Sequence, residues 1–263
     1  MKNIIFIISS ILLIACKKID VQKTDTKVPV VEAYIVPGQN DTIKVTYQLD
    51  FKTGDTIVRG YENLNILLSV GNKKEQAIYR GGGIYENTLL KIHDGDTVKL
   101  SFAYNDLTIS SETIIPSKPV GFKLSVDSIV IESPSSGSGM PGPGSSSESI
   151  AASWENPKND YYIILIKNIE KDPVPIDTMM AGRKMMFRNE PLQTNYYSLG
   201  TRNFNYYGNY QVILYHLNAE YAELYKNNGN SSLNITLPTT NIVNGLGIFT
   251  GINADTLYLK VVQ

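Results

Sequence analysis

The sequence of 263 residues has one cysteine, two histidines and no excess of basic residues. A single cysteine excludes a disulfide within the chain and any cysteine-rich metal site. His93 and His216 are too few for most catalytic or metal sites built on histidine. Lys and Arg number 24 against 25 Asp and Glu, so the net charge of −1 does not favour nucleic-acid binding. We therefore predict no cofactor, no bound metal and no nucleic-acid partner.

Sequence motifs of the common enzyme classes are missing as well. The chain has no Gly-x-Ser-x-Gly elbow, no Gly-Lys pair for a phosphate loop and no His-Glu-x-x-His. Acids such as Asp41, Asp55, Asp94 and Asp96 lie mostly in turn-forming sequence. Paired carboxylates for glycoside hydrolysis and a Ca²⁺ site at Asp94 and Asp96 are open alternatives. Solvated turn acids are favoured over both, so the sequence predicts a protein that is not an enzyme.

A hydrophobic run occurs only at the N-terminus. After Lys2, residues 4–14 are apolar apart from two serines, a length far below the roughly 20 residues of a membrane-spanning helix but typical of a secretory signal. The following Leu13-Ile14-Ala15-Cys16 resembles the bacterial lipobox, which implies cleavage before Cys16 and acylation of that residue, for example with palmitate. An ordinary signal peptide or an N-terminal anchor helix is the alternative. We predict a signal peptide over 1–15 and a flexible tether over 16–27.

Short strands separated by turn signals fill the rest of the chain. Their spacing predicts an all-β fold of two immunoglobulin- or fibronectin III-like β-sandwich domains, over 28–117 and 118–263, divided near Pro116 and Pro119. A Ser/Gly/Pro run over 133–149 predicts a long loop in the second domain. The predicted strands cover residues 28–36, 41–49, 65–70, 76–79, 97–104, 107–115, 122–131, 159–167, 230–237 and 255–262. Trp154 ends a strand and is predicted to lie in the core.

One short helix is predicted in the second domain, between Asn218 as its N-cap and Gly229 as its stop. Leu217, Tyr221 and Tyr225 follow a helical period and form an apolar stripe. We expect the helix to lie across one edge of the second sandwich. The glycines Gly245 and Gly247, before the last strand, permit a positive φ or a close approach of two backbones.

The segment from Leu237 to Gly251 contains Asn241-Ile242 and then Gly245-Leu-Gly-Ile-Phe249. It resembles the C-terminal signature of the domain-of-unknown-function 4249 family of Bacteroidetes lipoproteins. The resemblance implies β-sandwich domains in a cell-envelope lipoprotein that is an accessory to a TonB-dependent outer-membrane transporter. It also implies a lipid-anchored location at the outer membrane, with the periplasmic or cell-surface face left open. No ligand or active residue comes with the resemblance, and the Ser/Gly/Pro run departs from it.

Two further patterns concern the surface. Asp followed by Thr or Ser and then an apolar residue resembles the O-glycosylation sequon of Bacteroidetes envelope proteins, although a turn Asp that opens a strand explains much of the pattern. Its hydroxyl residues are Thr42, Thr56, Thr97, Ser128, Thr178 and Thr256. The second pattern is an aromatic span with one arginine: Tyr196, Tyr197, Arg202, Phe204, Tyr206, Tyr207 and Tyr210.

The aromatic span suits ligand recognition because flat rings stack on sugars or peptides, but ordinary sheet core is favoured over a ligand platform. The sequence therefore predicts a non-enzymatic outer-membrane lipoprotein that binds a ligand or partner, as an accessory to a transporter. A stand-alone carbohydrate-binding surface lipoprotein and a structural or adhesive envelope protein are the alternatives.

Overall fold

Alternating apolar residues set the strands. In the second strand, Asp41–Tyr47, the side chains of Ile43 and Val45 are fully buried, whereas Thr42 and Lys44, which alternate with them, are exposed. A period of two places one face of a strand on the core and the other in solvent. The computed structural model describes residues 28–49, 57–132, 149–228 and 239–263.

The strands of the first sandwich are β1 Pro29–Ile35, β2 Asp41–Tyr47, β3 Leu67–Val70, β4 Lys73–Gln76, β5 Ile78–Gly81, β6 Ile84–Asn87, β7 Thr97–Tyr104 and β8 Leu107–Ile114. Those of the second are β9 Lys123–Leu124, β10 Ser128–Val130, β11 Ser149–Ser153, β12 Tyr161–Asn168, β13 Met186–Arg188, β14 Tyr196–Gly200 and β15 Gly208–Leu217. Helix α1, Ala219–Asn228, and strand β16, Leu246–Val262, complete the described elements, with 3₁₀ turns at Thr178–Met180 and Thr201–Asn203.

Two sheets pack face to face in the first sandwich. One has the order β5-β6-β2-β1 and continues into the first part of β16, and the other has the order β4-β3-β7-β8. The inner faces form a single apolar cluster, in which Tyr85, Phe249, Ile35 and Ile43 are among the largest fully buried side chains. Burial of such side chains stabilises a fold by roughly 1.5–3 kcal/mol each.

The second sandwich has its own core. One sheet runs β13-β12-β15-β16 with β10 also paired to β16, and the other runs β14-β11-β9. Trp154 is 4% exposed in this core, and its ring centroid lies 5.5 Å from that of Tyr162. The all-β sandwich fold with one short helix is therefore confirmed, as is the core position of Trp154.

Each sandwich has two edges along its strands, and at each of these four edges the chain crosses from one sheet to the other. In the first sandwich the chain crosses between β4, which pairs with β3, and β5, which pairs with β6. It crosses again between Val243, which pairs with Ser110 of β8, and β16, which pairs with β1. In the second sandwich the chain crosses between Leu192, which pairs with Tyr162, and β14, which pairs with β11. It crosses again between β9, which pairs with β11, and β10, which pairs with β16. These crossings join the sheets at their corners and shorten the open edges.

The last strand, β16, belongs to both sandwiches. Residues 246–251 pair with β1, and the following residues pair with β15. Phe249 accordingly lies in the first core and Leu259 in the second. The structure thus differs from the predicted division at one point, because the end of the 118–263 segment returns to complete the first sandwich. The strand also begins at Leu246, nine residues before the predicted start at Asp255.

Helix α1 is present where the sequence predicts it, but it occupies a different place. Glu220 in its first turn accepts hydrogen bonds from the hydroxyls of Thr113 and Thr250, each at 3.2 Å. Near its other end, Arg188 of the second sandwich lies over the ring of Tyr225. The helix therefore spans the boundary between the sandwiches, and the expected position across an edge of the second sandwich is wrong.

Several predictions concern residues outside the described ranges. They are the signal peptide, Cys16 and the tether, most of the 133–149 loop, and the strand over 230–237. Ser149, the last residue of the predicted loop, is the first residue of β11.

Candidate functional site

The predicted aromatic span does not form one exposed surface. Phe204, Tyr206 and Tyr210 are at most 5% exposed. The hydroxyl of Tyr210 donates to the carbonyl of Tyr206 at 2.7 Å, and that of Tyr206 donates to the carbonyl of Arg183 at 2.9 Å. Burial raises the pKa of Tyr210. Buried tyrosines with internal hydroxyl partners are structural, which is the alternative that the sequence favours.

The other members of the span are divided between core and solvent. Tyr197 and Tyr207 are half-buried against the second core, and the Tyr207 hydroxyl donates to the carbonyl of Ile131 at 2.9 Å. Tyr196 on β14 is 60% exposed, and Arg202 is exposed in the 3₁₀ turn that follows. Among these seven residues, only Tyr196 and Arg202 present most of their side chains to solvent.

A different group of aromatic residues lies at one end of the first sandwich, and we call it the tyrosine cluster: Tyr47, Tyr61, Tyr79, Tyr85 and Tyr104. The rings of Tyr47 and Tyr61 stack at 3.7 Å, and the hydroxyls of Tyr61 and Tyr104 hydrogen-bond at 2.9 Å. Burial raises the pKa of Tyr61 and of Tyr85. Sequence reasoning missed this cluster because its members lie on separate strands and loops, and only the folded chain brings them together.

The C-terminal signature joins β16 to the first sandwich. The side chain of Asn241 donates to the carbonyl of Phe249 at 2.7 Å and accepts from its backbone N–H at 3.0 Å. Gly247 has a φ of +101°, and a Cβ at this position would overlap the carbonyl oxygen of Val31 in β1. The signature residues are thus explained by strand pairing, and no ligand is needed to account for them.

The acids of the predicted sequons make local hydrogen bonds, mostly where a strand or a 3₁₀ turn begins, whereas Asp255 lies within β16. In the five sequons that the structure describes, the carboxylate accepts a hydrogen bond from a nearby backbone N–H or hydroxyl, and these acceptors are Asp41, Asp96, Asp127, Asp177 and Asp255. The hydroxyl residues Thr42, Thr97, Ser128 and Thr178 are exposed, Thr256 is half-buried and Thr56 lies outside the described ranges. A turn acid that opens a strand therefore accounts for several of the sequons but not for Asp255, and O-glycosylation of the exposed hydroxyls stays a prediction.

The Asp94-Gly-Asp96 turn contacts the segment between the sandwiches. The carboxylate of Asp94 accepts from the backbone N–H of Lys118 at 2.9 Å and from the Asn253 side chain at 2.8 Å. Asp96 accepts from the backbone N–H of His93 at 2.9 Å. Within residues 28–49, 57–132, 149–228 and 239–263, no group of three His, Cys, Asp or Glu could hold a metal ion. The two acids organise a turn and a contact between domains.

We call the surroundings of this contact the junction, formed by residues 115–119, the Asp94 turn, β16 around Asn253, and His216. Asn253 is 7% exposed and donates to the carbonyl of Pro116 at 2.9 Å as well as to Asp94. Lys118 forms an ion pair of 2.9 Å with Asp255 of β16. Several polar contacts therefore hold the connecting segment against the strand that both sandwiches share.

His216 completes the junction from the side of the second sandwich. Its Nδ1 lies 2.8 Å from the carbonyl oxygen of Ser117, and its Nε2 lies 3.3 Å from a carboxylate oxygen of Asp160. The imidazole stacks on the ring of Tyr162 at 4.7 Å. Burial, together with the nearby Asp160 carboxylate, raises the pKa of Tyr162 to about 12. This histidine acts as a bridge between the connecting segment and the second core.

In the part of the chain that the structure describes, no helix is long and apolar enough to cross a membrane. Cys16 and the segment before it lie outside that part. Lipidation of Cys16 therefore stays a prediction.

Comparison with known proteins gives a family and two distant structural similarities. No curated protein matches the chain. The chain is similar to the FN1-FN3 domains of chicken CNTN1, with a TM-score of 0.29, 11% identity and coverage of 89% of this chain and 67% of that chain. It is similar to domains A168-A170 from titin, with a TM-score of 0.23, 12% identity and the same two coverages. The model of the domain of unknown function DUF4249 matches residues 17–257, and the chain therefore belongs to the DUF4249 family.

Proposed function

We propose that this protein is a non-enzymatic outer-membrane lipoprotein that holds a partner at a set distance from the membrane, as an accessory to a TonB-dependent transporter. The observation that carries the proposal is the position of the two ends of β1. Its first residue, Pro29, pairs with Tyr47 of the tyrosine cluster. Its last residue, Ile35, pairs with Gly251, where β16 passes into the second sandwich.

The tether consequently enters the molecule at the end of the first sandwich that is opposite the junction. Residues 16–27 span at most about 40 Å when fully extended. With an acylated Cys16 in the membrane, the first sandwich would lie near the bilayer and the second would extend away from it. The shared strand and the junction support a fixed relation between the two sandwiches, which is the property that a spacer needs.

The partner is proposed from the family resemblance, and the anchor supplies the physical advantage. Two or three acyl chains hold a protein far more firmly than the marginal binding of a single chain. Confinement to the membrane raises the local concentration of the lipoprotein beside a transporter, so that even a weak contact is occupied. Loops at the outer end of the second sandwich would then meet the substrate or the transporter.

The test is a pull-down of the full-length tagged protein from native membranes in mild detergent, followed by mass spectrometry. We expect a β-barrel transporter in near-stoichiometric amount, and acyl chains on Cys16. A Cys16→Ala variant, which has no acceptor for the lipid, is the control and should lose both membrane association and the barrel. An intact, lipidated protein without a barrel would contradict the transporter role. A wild-type protein that is soluble without detergent would contradict the anchor.

A further inference from the structure

One side of β16 lacks a strand partner over its middle part. On this side β1 ends opposite Gly251, and β10 begins opposite Lys260. Among the residues that the structure describes, no strand pairs with this side of residues 252–259. Lys260, just beyond the gap, donates its N–H on this side of the strand to the carbonyl of Asp127 at 2.9 Å. Because backbone groups alternate in direction along a strand, those of the even-numbered residues within the gap point to the same side.

The half of the gap nearest the junction is protected. The side chains of Asn253 and Asp255 accept from the backbone N–H groups of the residues that follow them, at 2.9 and 3.0 Å. Lys118 covers the same stretch through its ion pair with Asp255. Side-chain capping of this kind blocks an open edge against strand addition. The unprotected remainder is the stretch from Leu257 to Leu259, about 10 Å long at 3.3 Å per residue.

A groove of about 610 Å³ opens at this unprotected stretch, at the corner where the chain crosses from β9 to β10. Its volume lies within the roughly 300–1,000 Å³ of small-ligand sites. Tyr258, which is 64% exposed, and Val126, which is 47% exposed, are its accessible apolar side chains. The Ser125 hydroxyl accepts from the backbone N–H of Ala151 at 3.0 Å, and the Ser128 hydroxyl donates to Asp127 at 3.3 Å. The Ser125 hydroxyl proton and the second carboxylate oxygen of Asp127 therefore supply hydrogen-bonding groups beside them.

We propose that this groove binds a short saccharide, a monosaccharide or disaccharide unit of a larger glycan. A sugar ring has an apolar face that suits the exposed Tyr258 ring and a hydroxyl rim that suits the adjoining carboxylate and hydroxyls. The two charged residues of the lining, Lys123 and Asp127, have opposite signs, which favours a ligand without net charge. A peptide strand is disfavoured because the junction and the Asp127 contact close the slot at both ends.

This site differs from the predicted aromatic span, three of whose six rings are buried. The chain also offers a matched control for it. Tyr196 on β14 is 60% exposed, nearly the same as Tyr258, but it does not line the groove. A comparison of Tyr258→Ala with Tyr196→Ala therefore separates a site in the groove from general adhesion to exposed tyrosine rings.

The experiment measures binding of the full-length protein, in mild detergent and without a transporter, to an array of neutral monosaccharides to tetrasaccharides. We expect at least one saccharide to bind, a loss of tenfold or more in affinity for Tyr258→Ala, and a change of less than twofold for Tyr196→Ala. Tyr258→Phe keeps the ring and should stay within threefold of the wild type. Because the assay contains no transporter, its failure is independent of the proposed accessory role.

Three results would overturn the saccharide site. They are no saccharide binding at millimolar concentration, equal losses for the two alanine variants, and binding of an immobilised peptide library in place of saccharides. If Tyr258→Ala fails to fold by circular dichroism, Val126→Asp places a charge in the same groove at an exposed position. It should reduce saccharide binding at least tenfold, and unchanged binding would also overturn the proposal.

Discussion

At the scale of single residues, Gly247 is, among the glycines that the structure describes, the one at which an added Cβ would lie nearest to another atom. Its φ of +101° is one that L side chains rarely adopt, and a Cβ would overlap the Val31 carbonyl. Strain of this kind costs about 1–3 kcal/mol before any clash is counted. Gly200 is the matched control, because its φ is −86° and a Cβ there would contact nothing within 4 Å.

We predict that Gly247→Ala lowers the free energy of unfolding by at least about 2 kcal/mol, because β16 must shift away from β1. Gly200→Ala should change it by less than about 0.5 kcal/mol, as surface substitutions usually do. Urea titration followed by far-UV circular dichroism measures both values. Equal stability of the two variants would contradict the close approach at Gly247.

Tyr162 makes stability depend on pH in the alkaline range. Its folded-state pKa of about 12 lies above the ordinary tyrosine value of 10.0, so the folded protein holds the phenolic proton more tightly than the unfolded chain. The stabilising contribution is therefore fully present below pH 10 and is lost as the pH rises from 10 to 12. A shift of two units corresponds to about 3 kcal/mol.

We predict that Tyr162→Phe reduces the loss of stability between pH 9 and pH 11.5, because the substituted ring has no proton to release. Part of the loss of stability at alkaline pH remains in this variant, because burial also raises the pKa of Tyr34 to about 12. Phe204→Leu, a substitution in the same core that removes no ionisable group, should keep the wild-type loss of stability. Urea midpoints at the two pH values provide the measurement, and identical profiles for Tyr162→Phe and wild type would refute the assignment.

At the scale of elements, helix α1 is held by polar contacts to β8. The Thr113 hydroxyl donates to Glu220, and it accepts from Asn218 at 2.9 Å and from the backbone N–H of Gly251 at 2.9 Å. Thr113 is 4% exposed and Gly251 is also buried, so loss of the hydroxyl leaves the backbone N–H of Gly251 without this partner and away from water. Leaving a buried polar group without a partner costs about 1–3 kcal/mol.

We predict that Thr113→Val, which keeps the shape of the side chain, lowers the free energy of unfolding by about 2 kcal/mol. It should also speed hydrogen exchange in α1, because the helix loses its link to β8. Thr108→Val on the same strand is exposed and should do neither. Mass spectrometry of exchange within Ala219–Asn228 gives the local result, and unchanged exchange would show that other contacts hold the helix.

At the scale of the whole molecule, the shared strand should make the two sandwiches unfold together. Trp154, the single tryptophan, lies in the second core and reports on the second sandwich by fluorescence. Gly247 lies at the β16–β1 pairing of the first sandwich. Trp154 fluorescence can therefore show whether a substitution at Gly247 in the first sandwich changes the stability of the second.

We predict that Gly247→Ala shifts the urea midpoint by the same amount in Trp154 fluorescence as in far-UV circular dichroism. Coincident transitions are the mark of a single cooperative unit. The buried contacts of Asn253 and His216 supply the coupling. A fluorescence midpoint that stays at the wild-type value would mean that the second sandwich unfolds independently.

Much of the first sandwich was predictable because its strands alternate buried and exposed residues. The predicted strand over 97–104 coincides with β7, whereas β4, Lys73–Gln76, has no apolar residue to reveal it. The predicted core position of Trp154 is confirmed. The aromatic span could not be divided into core and surface in advance, because burial there depends on which strands cover it.

The sequence by itself determined the all-β character, the helix and the family, since these follow from local periodicity, capping residues and short motifs. Only the tertiary structure decided that the final strand joins both cores, that the helix spans the boundary between the sandwiches and that a groove opens beside Tyr258. The reason is the separation of the contacts along the chain. Asn253 and Asp94 lie 159 positions apart, and Thr113 and Glu220 lie 107 apart. Such pairs leave no local pattern in the sequence.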